Sequence, residues 1–275
     1  MIVSVSRRCD IPRFQFPWFM ERLRAGSCET ANPFNRNLIK NVSLLEGDVD
    51  LFVFWTRDPR NILANADELN DAGFRFYVMV TVTGYPIQLE PSMANQKKVL
   101  NAMKELAKKI GPDRVIWRYD PVLLTNISNA DSHRANFDFM AQKLAGSVRR
   151  VIISIYDEYK GSKKRLDAME KFGGLQLMDT GILPDLLRGF AQSANAAGME
   201  IQSCARKEDF SPYGIKPGAC IDIELINKLW PCRFNNWAGS GKDKNQRPYC
   251  LCNKSVDIGA YGICNAHCVY CYAWH

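Results

Sequence analysis

Short apolar runs alternate along this chain with amphipathic stretches of helical length, and no other feature of the sequence restricts the fold as strongly. The apolar runs cover residues 2–6, 50–55, 74–83, 114–118, 151–156 and 199–203. Between and after them, the spacing predicts helices over residues 17–25, 60–72, 92–110, 132–144, 183–197 and 221–229. Pro17 sits at a helix start, and Gly73, Gly111 and Gly198 follow helix ends. Continuous apolar strands separated by helices are the mark of parallel β/α units covered on both faces. The expected class is α/β, a partial or complete TIM-like (β/α) barrel of about six strands, with closure depending on an ambiguous seventh unit.

Polar residues gather where each strand gives way to its loop. Arg7, Arg8 and Asp10 follow the first strand, Trp55 to Asp58 the second, and Thr81, Thr83, Gly84 and Tyr85 the third. Arg118, Tyr119 and Asp120 end the fourth, Ser154, Tyr156 and Asp157 the fifth, and Gln202, Ser203 and Cys204 the sixth. In a β/α barrel such ends converge on one mouth, where active sites form. His133 is expected on a helix surface.

The net charge of +7 is spread along 275 residues, so nucleic acid is not indicated. No apolar run approaches a membrane span and no export signal is visible, which predicts a cytoplasmic protein without a membrane partner. Of ten cysteines, six fall in the last 44 residues. In a long chain without an export signal this crowding argues for metal ligation over disulfides. The expected organisation is a barrel domain over residues 1–230 and a cysteine-rich, cluster-binding segment over residues 231–275 packed on its mouth. That segment is irregular, and metal ligation is expected to order it.

Within it, Cys264, Cys268 and Cys271 form a Cys-x3-Cys-x2-Cys run with Tyr270 just before the third cysteine. Three thiolates on one tight loop can hold three irons of a [4Fe–4S] cluster and leave the fourth open to a non-protein ligand. The spacing resembles that of the radical S-adenosylmethionine (SAM) enzymes, in which the motif comes early in the chain. Here only four residues follow it. Cys250 and Cys252, with Cys204 and Cys220, are candidates for a second four-thiolate site. That site would be an auxiliary [4Fe–4S] cluster or a structural zinc, or the cysteines are buried small side chains. Cys9, Cys28 and Cys232 have no partner at ligand spacing, and His267 is read as a polar contact.

Several longer motifs extend the comparison: Ser6-Arg7-Arg8-x-Asp10-Ile11-Pro12, Phe54 to Pro59, Thr83-Gly84-Tyr85, Val115 to Pro121, and Asp257-Ile258-Gly259-x-Tyr261 before the triad. With them the chain resembles the DUF1848 family over essentially its whole length. A threonine is expected at the position of Cys9. The resemblance implies a cluster at the C-terminal cysteines and names no substrate.

The reading that follows is a radical SAM enzyme in which SAM is cleaved to a 5′-deoxyadenosyl radical that abstracts hydrogen from a substrate, a small molecule or another the sequence does not name. A flavodoxin or ferredoxin would supply the electron. Arg7, Asp10, Arg118 and Asp120 are the candidate catalytic groups, and Arg8, Thr83, Tyr85, Tyr119 and Tyr270 the candidate cofactor contacts. Two alternatives stay open: an iron–sulfur electron-transfer or redox-sensing protein, and a zinc-stabilised barrel hydrolase whose carboxylates Asp10, Asp120 and Asp157 hold a catalytic metal.

Overall fold

Successive residues of a strand point to opposite faces, and in this protein both faces are apolar. In a computed structural model, which describes residues 1–32, 35, 37–231, 241–243 and 246–274, the chain begins with β1 (Ile2–Val5), α1 (Ile11–Phe14) and α2 (Phe16–Arg24). An antiparallel hairpin of β2 (Ser27–Ala31) and β3 (Ile39–Ser43) follows. Then come β4 (Leu51–Thr56), α3 (Arg60–Asp71), β5 (Phe76–Thr81), α4 (Gln96–Ile110), β6 (Val115–Val122), α5 (Ala130–Leu144) and β7 (Arg150–Ile155). The remainder is α6 (Lys160–Gly173), α7 (Leu183–Ala196), β8 (Glu200–Cys204), β9 (Lys216–Gly218), α8 (Ile223–Leu229) and β10 (Val256–Asp257).

Eight of these strands form one parallel sheet in the order β10-β1-β4-β5-β6-β7-β8-β9. The parallel β/α reading therefore holds, and all six expected strands are in the sheet. Sequence reading passed over the hairpin, α1, α6, β9 and β10. The last two are only three and two residues long, too short to show a period.

One face of the sheet carries Phe52, Phe54, Phe76, Val78, Trp117 and Ile153 into a core shared with the helices. The other carries Val53, Trp55, Tyr77, Met79, Ile116 and Ile152 into a second cluster, which Leu225 and Ile226 of α8 join. The sheet is curled around this second cluster. Tyr77 on β5 donates its hydroxyl to the Cys220 carbonyl at 2.6 Å, yet β5 and β9 lie four strand spacings apart. A flat sheet would separate them by about 19 Å, far beyond a tyrosine's reach. The two edge strands share no ladder among the described residues; the Asn253 amide, donating to the Ile221 carbonyl at 2.9 Å, bridges the chain segments that flank them.

Beyond α8, Cys232 and residues 233–240 lie outside the described residues. From residue 250 onward the segment pairs with and packs on the barrel. β10 pairs with β1 through Val3–Val256 and Ser4–Asp257. Ala266, Cys268, Val269 and Tyr270 join Tyr85, Leu89 and Leu166 in a third apolar cluster. Barrel side chains thus contribute to the ordering of this segment.

His133 is also displaced from its expected place on a helix surface. It is buried between α5 and β6, with Tyr119 Oη at 2.7 Å from Nδ1 and the Leu123 carbonyl at 3.2 Å from Nε2. Burial lowers its pKa to about 4, so the ring is neutral at pH 7.

The curl has a direct test. Tyr77→Phe leaves the buried Cys220 carbonyl without its donor, and we expect a loss of about 1–3 kcal/mol in equilibrium urea unfolding. An unchanged midpoint would mean that the hydroxyl does not bridge the sheet.

Candidate functional site

Because every strand of the sheet runs the same way, the loops after β1, β4, β6, β7 and β8 open on one side. There they surround a cavity of about 430 Å³. The C-terminal segment forms its remaining wall. All seven cysteines expected as ligands line this cavity, together with Arg7, Arg8, Asp10, Arg118, Asp120 and Tyr270. The nine described cysteines are free thiols.

The triad loop is seated by groups from four parts of the barrel. Tyr270 donates its hydroxyl to Glu90 and accepts from Arg57 Nη2 at 2.9 Å. Glu90, 1% exposed, also accepts from Thr83 Oγ1 at 2.6 Å and from the Arg57 guanidinium. The Val269 amide donates to the Leu89 carbonyl at 3.0 Å. Tyr272 donates to the Arg7 carbonyl at 2.8 Å. On the far side, Arg165 of α6 donates to the carbonyls of Val269, Cys271 and Trp274. Cys268 is buried and Cys264 and Cys271 are half-buried. Burial pushes the Cys268 thiol up to about 12 against the pull of Arg57, and it raises Cys271 as well. An electrophilic metal is the kind of partner that brings such thiols to the ligating thiolate form.

The other four cysteines form a compact group. The Cys220 thiol donates to Cys204 Sγ at 3.5 Å, and the Ile221 amide donates to Cys252 Sγ at 3.4 Å. Hydrogen bonds from Cys220 and Cys250 hold the Cys252 thiol below its ordinary range, while Cys220 and Cys250 are pushed up as donors. A tetrahedral zinc with Zn–S near 2.3 Å spaces its sulfurs about 3.8 Å apart, close to the Cys204–Cys220 separation. Even so, among the described residues no three His, Cys, Asp or Glu side chains stand as a ready-made single-ion site.

The donor set fits a thiophilic centre on two counts. It is all sulfur, and the residues around it retain buried N–H groups without partners: Arg7 Nη1, Arg118 Nε and Trp55 Nε1. Metal-bound sulfur or the oxygens of a bound molecule would satisfy such donors. Cys9, expected to be incidental, also lines the cavity, and burial raises its thiol to about 12. Cys28 packs in the helix-side core. His267 lines the cavity and sets its ring edge-on to Trp274 at 5.0 Å.

The polar candidates divide into committed and open groups. Asp10 caps α1 and accepts from Thr56 Oγ1 at 2.7 Å and from the Arg57 and Arg13 amides at 2.8 and 3.0 Å, so it is chiefly structural. Burial raises its pKa against these bonds. Arg7 is paired with Asp257 at 2.8 Å and bonded to Ser255 at 2.9 Å. Arg118 pairs with Asp120, which also accepts from Ser154, and its guanidinium lies 4.9 Å from the centre of the Trp55 ring. Asp157 is held between Arg206 and Arg247. Arg8 differs. Its Nη1 meets only neutral oxygens, Thr30 Oγ1, the Ala31 carbonyl and the Gly259 carbonyl, and no carboxylate pairs with it among the described residues.

Three expected cofactor contacts lie off the cavity. Tyr119 faces the helix layer beside His133, Thr83 is buried under Glu90, and Tyr85 is buried with its hydroxyl on the Pro121 carbonyl and the Leu123 amide. A strand's period of two places Tyr119 opposite in facing to Arg118 and Asp120, a signal available in the sequence. Arg57 stands among the strand-end residues expected at the mouth, but it, Glu90 and Arg165 are not among the expected catalytic or cofactor-binding groups. Arg57 lies inside one of the longer motifs, whereas nothing local marks the other two.

A crystal structure named for a candidate alpha-L-fucosidase of Bacteroides thetaiotaomicron is similar with a TM-score of 0.30 and 8% identity, over 59% of this chain. This chain spans 64% of that protein. No curated protein matches. A family model described as a domain of unknown function, DUF1848, matches residues 2–273, and the chain therefore belongs to the DUF1848 family.

Proposed function

We propose that this protein is a radical SAM-type enzyme whose cluster loop reaches the mouth of an incomplete TIM-like barrel from the C-terminal end of the chain. The observation that carries the reading is that Cys264, Cys268 and Cys271 line the same cavity as Arg8, Arg118 and Asp120. A three-cysteine loop leaves one iron of a cube without a protein ligand, and here that loop faces a walled space with charged groups opposite.

When bound, a [4Fe–4S] cluster and SAM supply an electron and a carbon-centred radical able to take hydrogen from a substrate carbon. The chain's own residues hold and orient. Cys264, Cys268 and Cys271 ligate three irons. Arg8, which among the described residues has no carboxylate partner, unlike Arg7 and Arg118, offers its Nε and Nη2 edge to the SAM carboxylate. The Arg118–Asp120–Ser154 unit, backed by Trp55, fixes a polar part of a small-molecule substrate. Cys204, Cys220, Cys250 and Cys252 hold a second metal centre, an auxiliary [4Fe–4S] cluster or a structural zinc. A flavodoxin or ferredoxin is the expected reductant. A barrel hydrolase is less well supported, because Asp10, Asp120 and Asp157 are each committed to protein donors.

Anaerobic protein reconstituted with iron and sulfide is expected to release 5′-deoxyadenosine from SAM under dithionite. Replacing Cys264, Cys268 and Cys271 together by Ala should lower bound iron by about four atoms per chain and abolish that product. A loaded wild-type protein that releases none is an electron-transfer or sensing protein instead. Arg8→Lys keeps the cation and removes the planar fork; we expect SAM affinity, read by equilibrium dialysis, to fall about 10-fold or more. Unchanged affinity would place the carboxylate elsewhere.

A further inference from the structure

Arg165 does not line the cavity, yet it makes more contacts with the triad loop's backbone than any other side chain described above. Its Nε–H donates to the Val269 carbonyl at 2.9 Å, Nη1 to the Trp274 carbonyl at 2.7 Å, and Nη2 to the Cys271 carbonyl. The guanidinium also lies 4.6 Å from the centre of the Trp274 ring. We propose that Arg165 is a positioning residue that sets the shape of the triad loop before a metal arrives; this rests on the reading of that loop as a cluster site.

The geometry gives the reason. The three carbonyls belong to Cys271 itself and to residues two before and three after it. A guanidinium is rigid and planar, so bonding all three with one group fixes their mutual placement and thereby the turn that carries the Cys271 sulfur. Within that turn the Ala273 amide donates to Cys271 Sγ at 3.3 Å and the Cys271 amide to the Cys268 carbonyl at 3.0 Å. The Gly262 amide closes the loop onto the Ala273 carbonyl at 3.1 Å. Helix α6 anchors the arginine from the barrel side, with Leu166, next to it in sequence, and Ser162, three residues before it, both buried. No carboxylate pairs with Arg165 among the described residues, so its positive charge acts on carbonyl dipoles and on the nearby Cys271 sulfur. Arg57 supplies a second cation near Cys268. A metal–thiolate centre on this loop would have both guanidiniums nearby, Arg57 in its pair with Glu90 and Arg165 on the loop's own carbonyls. Outer partners of this kind tune ligand geometry and metal retention.

The test uses full-length wild type, Arg165→Gln and Arg165→Lys. In the metal-free state, hydrogen exchange of the Gly262, Cys271 and Ala273 amides is expected to speed up about 10-fold or more in Arg165→Gln, the loss of one to two hydrogen bonds, with sheet amides unchanged. After reconstitution with iron and sulfide, Arg165→Gln should lose iron to a chelator about 10–100-fold faster than wild type. Arg165→Lys, with charge but no fork, should fall between them in both measurements. Unchanged exchange, or unchanged iron loss from loaded protein, overturns the proposal. If wild type takes up no cluster, the functional reading fails, and the metal-free exchange alone decides whether Arg165 shapes the loop.

Discussion

The seating of the C-terminal loop depends on one buried ion pair, Arg57 with Glu90, closed over by the Tyr270 hydroxyl. Arg57 comes from the end of β4, Glu90 from the loop after β5, and Tyr270 from between the second and third cysteines of the triad. Removing one member of such a pair strands a buried charge at a cost of about 3–5 kcal/mol, so the three segments hold one another in place. Tyr270, expected to touch a cofactor, has its hydroxyl committed to this pair. Its ring lies against Tyr85 at 5.5 Å between centres. The cysteines on either side of it are thereby turned to the cavity while the loop's aromatic side packs on the barrel.

The second dependence is topological. A parallel sheet sends every strand's C-terminal end to one side, and curling the sheet brings those ends around a common space. Charged residues at the ends of β1, β4, β6 and β7 meet there although those strands lie far apart in sequence. Four cysteines of the second group reach the same space by different routes: Cys204 ends β8, Cys220 follows β9, and Cys250 and Cys252 arrive with the segment leading to β10. Among the arginines of the site, pairing decides role. Arg7 and Arg118 are paired with Asp257 and Asp120, whereas Arg8 has no carboxylate partner among the described residues, which is why it is the one assigned to an incoming carboxylate.

Much of this was legible in the sequence because the signals were local. Strand and helix periods located all six expected strands, and most of the polar residues expected after β1, β4 and β6, though neither Asp58 nor Tyr119, line one cavity. The cysteine spacing picked out the triad. What stayed hidden was long-range or very short. β9 and β10 have too few residues to show a pattern, and Glu90 gains its meaning only from Arg57 and Tyr270. Arg165 reads as one more cation in the basic stretch from Lys160 to Arg165, and His133 as a surface residue, because its partners Tyr119 and Leu123 lie on and just after β6, ten or more residues away. Thr83, Tyr85 and Tyr119 were misplaced for a different reason: proximity to a strand end does not say which way a side chain faces.

The central claim is that the triad carries a cluster with one iron left for SAM. Electron paramagnetic resonance of the reduced, reconstituted protein tests it most directly, in a Cys204→Ser, Cys220→Ser, Cys250→Ser, Cys252→Ser background that leaves the triad as the sole cluster site. The account predicts a [4Fe–4S] signal whose g-values shift when SAM is added. A signal that is indifferent to SAM, or iron bound with no such signal, would contradict it.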